Sequence, residues 1–392
     1  MNRSARSRRV PPTDRRYATG SIGYSTREPM QPTEVAEPMK SFRIALYPGD
    51  GIGVEVLNEA VRVLGCVQEI VGGFELLYTQ FDWGCAYAAR HGHVTPADYL
   101  ETLRPFDAIF LGAIGDPRCL PDPVTLVPLV QIRQRFDQYA CLRPAKLYPG
   151  VRSPLRQPGA IDLLIVRENS EGEYAVCGGR VKTGRPEEIA IQSAVHTRAG
   201  VQRILRFAFA SARTRRRRLT MITKSNALPY GMALWDAVLE EVCAEFPDVQ
   251  AERQNADAAA MNLVRRPERF DVIVASNLFG DILSDLAGEI TGGIGLAPSA
   301  NVNPERVFPS MFEPVHGSAP DIAGKGIANP IAAILSGALM LEWLGLNEAA
   351  ARVRRAVERA LADGAATPDL GGSLTTGQMT DRVIQGLDDA GA

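Results

Sequence analysis

FDVIVASNLFGDILSD, residues 270–285, passes from a short apolar run directly into a segment with helical spacing. The apolar run over 270–276 predicts a buried strand. Asp281 and Asp285 follow four residues apart, just over one helical turn, so on a helix both carboxylates point the same way. Such a pair indicates either an acid-rich helix start, which the helix dipole favours, or two ligands of one hard cation such as Mg²⁺ or Mn²⁺.

The order of strand, loop and helix is repeated along the chain. Apolar runs predict buried strands at 42–47, 106–115, 161–166, 219–223 and 270–276. Strands of this kind between helices predict an α/β protein with a substantial parallel sheet. Arg167 and Lys224 directly follow two of these strands, and ligands gather at the carboxyl ends of strands in such sheets. We therefore expect both cations and the aspartate pair to reach one region.

Composition and charge narrow the classes of function. The 392 residues are 45% hydrophobic and 22% charged with a formal net charge of −2, so no global charge favours nucleic acid or an anionic membrane. No apolar stretch is long enough to predict a membrane span. The six cysteines lie far apart without a CxxC pair, which is typical of reduced thiols in a cytoplasmic protein. Residues 1–38 are Arg-rich without apolar periodicity and are predicted to be a disordered extension.

Several polar side chains are suited to an anionic substrate. Arginine binds carboxylates bidentately, and three arginines stand near predicted strand ends or loop starts: Arg133, Arg143 and Arg167. Lys224 is a candidate general base and Tyr174 a candidate proton donor. A tyrosine in such a position is more often a half-buried packing residue than a proton donor. Asp257 is either a third metal ligand or an ordinary acid near a helix start.

Two glycine-rich loops are candidates for binding a nucleotide. PGDGIG, residues 48–53, lacks the third glycine of GxGxxG, so a Rossmann fingerprint is absent. EPVHGSAPDIAGKGIANP, residues 313–330, is longer, and its backbone N–H groups suit a pyrophosphate, with Asp321 accepting from a ribose hydroxyl. A plain turn-rich connector is the alternative interpretation of the second loop.

Seven segments, in order between Lys40 and about residue 385, resemble the metal-dependent β-decarboxylating dehydrogenases. They are PGDGIG, FDQYACLRP, VRENSEGEY, TKSNA, NLFGDILSD, APSANVNPE and FEPVHGSAPDIAGKGIANP. This family includes isopropylmalate, isocitrate, homoisocitrate, tartrate and D-malate dehydrogenases. RENSEGEY, TKSNA and SANVNPERVFPSMFEPVHGSAPD together are most similar to the tartrate/D-malate branch.

The resemblance implies two α/β domains with parallel and mixed sheets, a cleft between them and a nucleotide site that is not a Rossmann fold. The large nucleotide-binding domain would comprise residues 39–138 and 295–388. The small domain, 139–294, would carry the metal and substrate residues and the dimer interface. Members of this family are homodimers in which each active-site cleft contains residues of the partner subunit. We therefore expect a cytoplasmic homodimer with shared active sites.

The resemblance also implies roles for the polar candidates. Mg²⁺ or Mn²⁺ would be bound by three acids, Asp281, Asp285 and Asp257 of the partner subunit. The substrate carboxylates would be held by Arg133, Arg143 and Arg167. Protons would be moved by Tyr174 and by Lys224 of the partner subunit. NAD would lie along six residues of the second glycine-rich loop, His316, Gly317, Ser318, Ala319, Asp321 and Asn329, and K⁺ is a further candidate cofactor.

The implied reaction is NAD-linked oxidation, with decarboxylation, of a malate-like 2-hydroxy dicarboxylic acid, with tartrate and D-malate preferred. Isocitrate enzymes of the family carry Ser and Asn where this chain has Val127 and Leu129, which argues against isocitrate. At Leu126, isopropylmalate enzymes carry Glu and the tartrate/D-malate branch often has Trp. 3-Isopropylmalate dehydrogenase therefore remains the alternative, ahead of isocitrate dehydrogenase or a catalytically silent subunit. Pro128 is expected to shift the start of its helix.

Overall fold

A computed structural model describes residues 39–388, so the prediction for residues 1–38 lies outside the described part. The strands within this range are β1 Lys40–Gly49, β2 Phe74–Gln80, β3 Ala108–Ala113, β4 Ala140–Lys146, β5 Asp162–Glu168, β6 Gly178–Val181, β7 Ile189–Gln192, β8 Arg218–Thr223, β9 Gln250–Asn255, β10 Val272–Ala275, β11 Pro298–Val302 and β12 Ser310–Pro314. The helices are α1 Ile52–Val71, α2 Cys85–His91, α3 Tyr99–Leu103, α4 Asp122–Thr125, α5 Val127–Arg135, α6 Arg198–Arg213, α7 Gly231–Cys243, α8 Ala256–Arg265, α9 Asn277–Ile290, α10 Ile331–Trp343, α11 Asn347–Ala362 and α12 Thr376–Asp388. Short 3₁₀ turns occur at Pro267–Arg269, Ile294–Leu296 and Pro368–Leu370.

Ten strands form one mixed sheet in the order β2-β1-β3-β12-β11-β4-β5-β10-β8-β9. The three central pairings, β12–β11, β11–β4 and β4–β5, are antiparallel. The pairings on either side of them are parallel. This order differs from that of a Rossmann fold. The predicted α/β class with a parallel and mixed sheet is therefore confirmed, while the domain boundaries stay a prediction.

Helices cover both faces of the sheet. The side chains of β10 illustrate this, because they point alternately to one face and the other. Val272 and Val274 pack in the core that includes α6 and α7, whereas Ile273 and Ala275 pack in the core that includes α8 and α9. Near the other end of the sheet, α1, α10, α11 and α12 pack together. Among the described helices, none is long and apolar enough to cross a membrane.

The parallel strands β5, β10, β8 and β9 place their carboxyl ends at one edge. Arg167 is the penultimate residue of β5, α9 begins two residues after β10, and Lys224 directly follows β8. Because carboxyl ends of parallel neighbours share an edge, Arg167, the start of α9 and Lys224 all lie at this edge of the sheet.

The loop after β1 packs tightly against the second glycine-rich loop. The backbone N–H of Ile52 donates to the carbonyl oxygen of Ser318 at 2.8 Å. Gly51 has a φ of 56°, and a Cβ at this position would lie 2.0 Å from the same oxygen. Only glycine therefore fits at position 51 without a backbone shift.

Gly51→Ala is expected to lower the free energy of unfolding by roughly 1–3 kcal/mol, because it combines a positive φ with a clash against backbone. Gly65→Ala is the matched control, since Gly65 lies inside α1 and a Cβ there would have no other heavy atom within 4 Å. The control should be neutral or stabilise by up to about 1 kcal/mol. Urea unfolding at one protein concentration measures both, and equal midpoints for the two variants would contradict the close approach.

Candidate active site

Helix α9 carries the aspartate pair, and a glutamate from another segment caps it. The backbone N–H of Leu278 donates to Glu173 Oε2 at 3.1 Å, and the Ser276 hydroxyl donates to Glu173 Oε1 at 3.3 Å. A carboxylate at a helix N-terminus satisfies free N–H groups and is favoured by the helix dipole. Glu173 therefore ties the segment with Tyr174 to the start of α9. Sequence reasoning missed this role, although Glu173 lies in the quoted segment VRENSEGEY.

Five predicted site residues come together around Asp281. Its Oδ1 accepts from Arg167 Nη1 at 2.5 Å and from Arg143 Nη1 at 3.0 Å. Its Oδ2 accepts from the hydroxyl of Tyr174 at 2.7 Å. Arg143 also approaches Asp285 Oδ1 at 3.4 Å. The structure thus unites cations, acids and a phenol that the sequence places up to 142 residues apart.

The pKa values of the two aspartates are shifted in opposite directions. Burial opposes ionisation of Asp281, but the charges of Arg167 and Arg143 outweigh it and hold its pKa below the usual value. For Asp285, partial burial of the carboxyl group outweighs the attraction of Arg143 and raises the pKa. The rise is limited in its effect on stability, because 61% of the Asp285 side chain is exposed to solvent. The ionised form of Asp281 is therefore already stabilised within the protein. A further cation would stabilise the ionised form of Asp285 more than that of Asp281.

All three predicted substrate arginines keep an unsatisfied donor. Arg133, Arg143 and Arg167 are buried, and the Nε of each has no hydrogen-bond partner. Arg133 donates through Nη2 to Glu313 Oε1 at 2.6 Å, and that oxygen also accepts from Asn301 at 2.7 Å. Buried donors without acceptors are costly and uncommon. Each of these arginines therefore pairs with an acid through an Nη group and keeps a buried Nε donor without an acceptor.

Polar neighbours that were not predicted complete the cluster. Asn277 Oδ1 accepts from Arg167 Nη2 at 2.6 Å, and the hydroxyl of Ser284 accepts from Arg143 Nη1 at 2.7 Å. With Asp281 and Asp285 they occupy positions 277, 281, 284 and 285, which share one face of α9. This i, i+4, i+7, i+8 spacing was a signal that the sequence already contained.

An open cavity of about 990 Å³ lies beside Tyr174. Leu126, Val127 and Val130 line it on the side of α5. Leu129 does not line it and instead packs, partly buried, against the core cluster around Phe136. The reason is helical geometry, because Leu129 points away from the face that bears its neighbours. Pro128 lies in the first turn of α5, as expected.

Lys224 and Asp257 form a separate pair. Lys224 Nζ donates to Asp257 Oδ1 at 2.8 Å, and this bond lowers the pKa of Asp257. Within residues 39–388, no three His, Cys, Asp or Glu side chains are grouped as they would be to hold a metal ion. One chain therefore presents the predicted site as two parts, the cluster around Asp281 and the Lys224–Asp257 pair.

The second glycine-rich loop is well ordered by internal contacts. His316 is buried, which lowers the pKa of its imidazole, and its Nε2 has no partner. Its Nδ1 lies 2.9 Å from the carbonyl oxygen of Gly317. Ala319 has a φ of 38° at the turn that precedes the exposed Asp321. A neutral imidazole with one free nitrogen beside exposed backbone is compatible with a polar ligand.

Asn329, at the end of this loop, is already engaged within the chain. Its Nδ2 donates to Asp369 Oδ2, and its Oδ1 accepts from the backbone N–H of Ile331, each at 3.0 Å. A contact between Asn329 and a nucleotide stays a prediction.

Comparison with known proteins agrees with this geometry. The isocitrate/isopropylmalate dehydrogenase family matches residues 43–383. The chain belongs to this family. A D-malate dehydrogenase (decarboxylating) of Escherichia coli is 51% identical over 357 residues, which cover 88% of this chain and 99% of that protein. A tartrate dehydrogenase/decarboxylase of Pseudomonas putida is 50% identical over 353 residues, with 87% and 96% covered.

A solved structure of the same family agrees as well. The crystal structure of isocitrate dehydrogenase from Methylococcus capsulatus matches with a TM-score of 0.79 and 37% identity, covering 88% of this chain and 99% of that one. The family resemblance, including its tartrate/D-malate branch, is confirmed.

Opposite pKa shifts predict opposite stability effects at pH 7 without metal. Asp281→Asn should cost about 2 kcal/mol of unfolding free energy, less than a fully buried pair because the side chain is 28% exposed. Asp285→Asn should be neutral or stabilise by about 0.5 kcal/mol.

The pH dependence separates the two variants further. A lowered pKa stabilises the fold above the unfolded value of about 4, so the cost of Asp281→Asn should shrink as the pH falls below 4. A raised pKa destabilises the fold only once the group ionises, so any gain from Asp285→Asn should already vanish at higher pH, as the pH falls from the raised pKa to about 4. Urea unfolding in EDTA measures both, and equal effects at pH 7 would contradict the assignment.

Proposed function

We propose that this chain is a metal-dependent, NAD-linked dehydrogenase that oxidises and decarboxylates a malate-like 2-hydroxy dicarboxylic acid, with D-malate and tartrate preferred. The observation that carries the proposal is the cluster in which Arg143, Arg167 and Tyr174 surround Asp281. Relatives of about half identity that are named for tartrate and D-malate support the choice of substrate.

The arginines account for a substrate with two carboxylates. Their three buried Nε groups lack acceptors, and a guanidinium binds a carboxylate bidentately when two adjacent N–H groups are free. Arg143 and Arg167 are also held in place by Asp281. They are therefore preorganised, and a carboxylate can bind them without reordering the side chains.

The donor set suits a hard divalent cation. Asp281 and Asp285 offer carboxylate oxygens on one helix face, the ligands that Mg²⁺ and Mn²⁺ prefer, and Asp257 of a second subunit would add a third. A bound cation would polarise the substrate hydroxyl and the later carbonyl, while NAD would accept the hydride. The exposed Asp321 suits the ribose hydroxyls of NAD and would repel the 2′-phosphate of NADP.

Lys224 and Tyr174 are the proposed proton carriers. Lys224 would accept the proton of the substrate hydroxyl during oxidation. Burial and the hydrogen bond to Asp281 raise the pKa of Tyr174, so its phenol stays protonated at neutral pH. It can therefore donate a proton to carbon after CO₂ leaves.

The proposed enzyme is a cytoplasmic homodimer whose sites are shared between subunits. The separation of the Lys224–Asp257 pair from the Asp281 cluster supports a contribution of that pair from a second subunit. Exposed apolar side chains support an interface: Val181, Ile189 and Ile191 on the β6–β7 ribbon, and Met261, Val264 and Ile282 on α8 and α9. Exposed apolar side chains that are grouped on the surface are typical of protein contacts.

Hybrid dimers test the shared site. A dimer with Lys224→Met in one subunit and Asp285→Asn in the other should retain about half of wild-type activity, because one of its two composite sites is intact. The matched control carries both substitutions in one subunit beside a wild-type subunit. It should be inactive, because each composite site then holds one altered residue. Dual-tag purification isolates both hybrids, and the reverse pattern of activities would place each site within one chain.

Substrate preference tests the reaction itself. With Mn²⁺, K⁺ and NAD, we expect kcat/KM for D-malate to exceed that for isopropylmalate at least about tenfold, or roughly 1.4 kcal/mol. Isopropylmalate is the second candidate because Leu126, Val127 and Val130 line the cavity, and burying three carbons contributes roughly 2.4 kcal/mol. NADH formation at identical concentrations of both acids decides between them, and a preference for isopropylmalate would contradict the proposal.

A further inference from the structure

Two cysteines from separate loops lie in contact. Cys85 begins α2, and Cys119 lies in the loop after β3. The Cys119 thiol is 3.9 Å from the backbone oxygen of Cys85. Burial and the neighbouring Cys119 thiol raise the pKa of Cys85. Cys119 is exposed, whereas Cys85 is partly buried. The pair is therefore both close together and open to reagents at one end.

The loops that carry this pair are tied to the second glycine-rich loop. Asp50 accepts from the backbone N–H of Cys85 at 2.7 Å and from that of Gly115 at 2.9 Å. The Ser318 hydroxyl donates to the carbonyl oxygen of Gly115. A movement of the Cys119 loop can therefore be transmitted to the second glycine-rich loop through the buried hydrogen bond between Ser318 and Gly115.

We propose that Cys85 and Cys119 are a thiol–disulfide site for low-molecular-weight disulfides, and that their oxidation weakens nucleotide binding. The two sulfur atoms have to move closer together to form an S–S bond of about 2.05 Å. That movement shifts the Cys119 loop toward α2, and Gly115 in the same loop accepts from the Ser318 hydroxyl, so the shift acts on this hydrogen bond. The disulfide site stands on the cysteine geometry alone, whereas the effect on nucleotide binding also rests on the proposed function.

The exchange begins at the exposed thiol. The Cys119 thiolate attacks a disulfide RSSR, which forms a Cys119–SR mixed disulfide and releases RS⁻. Cys85 then loses its proton to solvent, attacks the sulfur of Cys119 and displaces the second RS⁻. The protein thiols are oxidised and RSSR is reduced to two RSH, which take up both protons. Burial raises the pKa of Cys85 to about 12, so the second step is the slow one.

Oxidised glutathione is a suitable probe for the full-length protein. After trypsin digestion, residues 119–133 should be linked to residues 63–90, and fragmentation should place the bond at Cys85 rather than Cys66. Cys85→Ser should instead accumulate glutathione on Cys119, because the resolving thiol is missing. Cys177→Ser, at an exposed cysteine, is the control and should form the wild-type link. Stable glutathione on Cys119 of the wild-type protein, with Cys85 still free, would overturn the proposal.

NADH fluorescence titration tests the effect on binding. Oxidation should raise the dissociation constant by at least about fivefold, the low end for coupled sites, and dithiothreitol should reverse it. Cys119→Ser should show no change with oxidised glutathione. An unchanged constant in the fully linked wild-type protein would overturn the coupling. If the reduced protein fails to bind NADH, the proposed function fails with the coupling, whereas the peptide link still decides the disulfide site.

Discussion

The sharing of one carboxylate, that of Asp281, between two buried guanidinium groups and a phenol is the interaction on which the site depends. Arg143 and Arg167 come from neighbouring antiparallel strands, β4 and β5, and Asp281 comes from the helix after β10. Without that carboxylate, two like charges would lie buried beside each other. The carboxylate of Asp281 therefore stabilises the two guanidinium groups, and strands β4 and β5 hold those groups where both can bind the carboxylate.

The charges of the cluster are balanced before any ligand binds. Three arginines, Arg133, Arg143 and Arg167, face three acids, Asp281, Asp285 and Glu313. A dicarboxylate substrate and a divalent cation would add equal charges of opposite sign, so the balance would persist. Lys224 and Asp257 form a further ion pair with no net charge. If a second subunit contributed this pair to the site, the net charge of the site would stay the same. Binding of substrate and cation together is thus electrostatically favoured over either alone.

The sequence was sufficient where the place of a residue in the fold follows from local position. Arg167 and Lys224 stand at strand ends, and the spacing of Asp281 and Asp285 fixes a common helix face. It was not sufficient where contacts depend on strand order. The hairpin β11–β12 brings Glu313 to Arg133 across 180 residues, and no periodicity reveals such a pairing.

Helix orientation determines where the side chain of Leu129 lies. Leu126, Val127 and Val130 line the cavity beside Tyr174, whereas Leu129 packs against the core cluster around Phe136. The fold class and most of the cluster were accessible from residue pattern and resemblance. The cap formed by Glu173 was not, because it depends on how the segment after β5 folds back onto α9.

Mn²⁺ binding followed by electron paramagnetic resonance tests the central claim most directly. The wild-type protein should bind one Mn²⁺ per chain, and D-malate should tighten that binding. Asp285→Asn should lose at least about tenfold in affinity, or roughly 1.4 kcal/mol, while its unfolding midpoint in EDTA is kept. Equal Mn²⁺ affinity in the two proteins, with or without D-malate, would contradict a metal site at the aspartate pair.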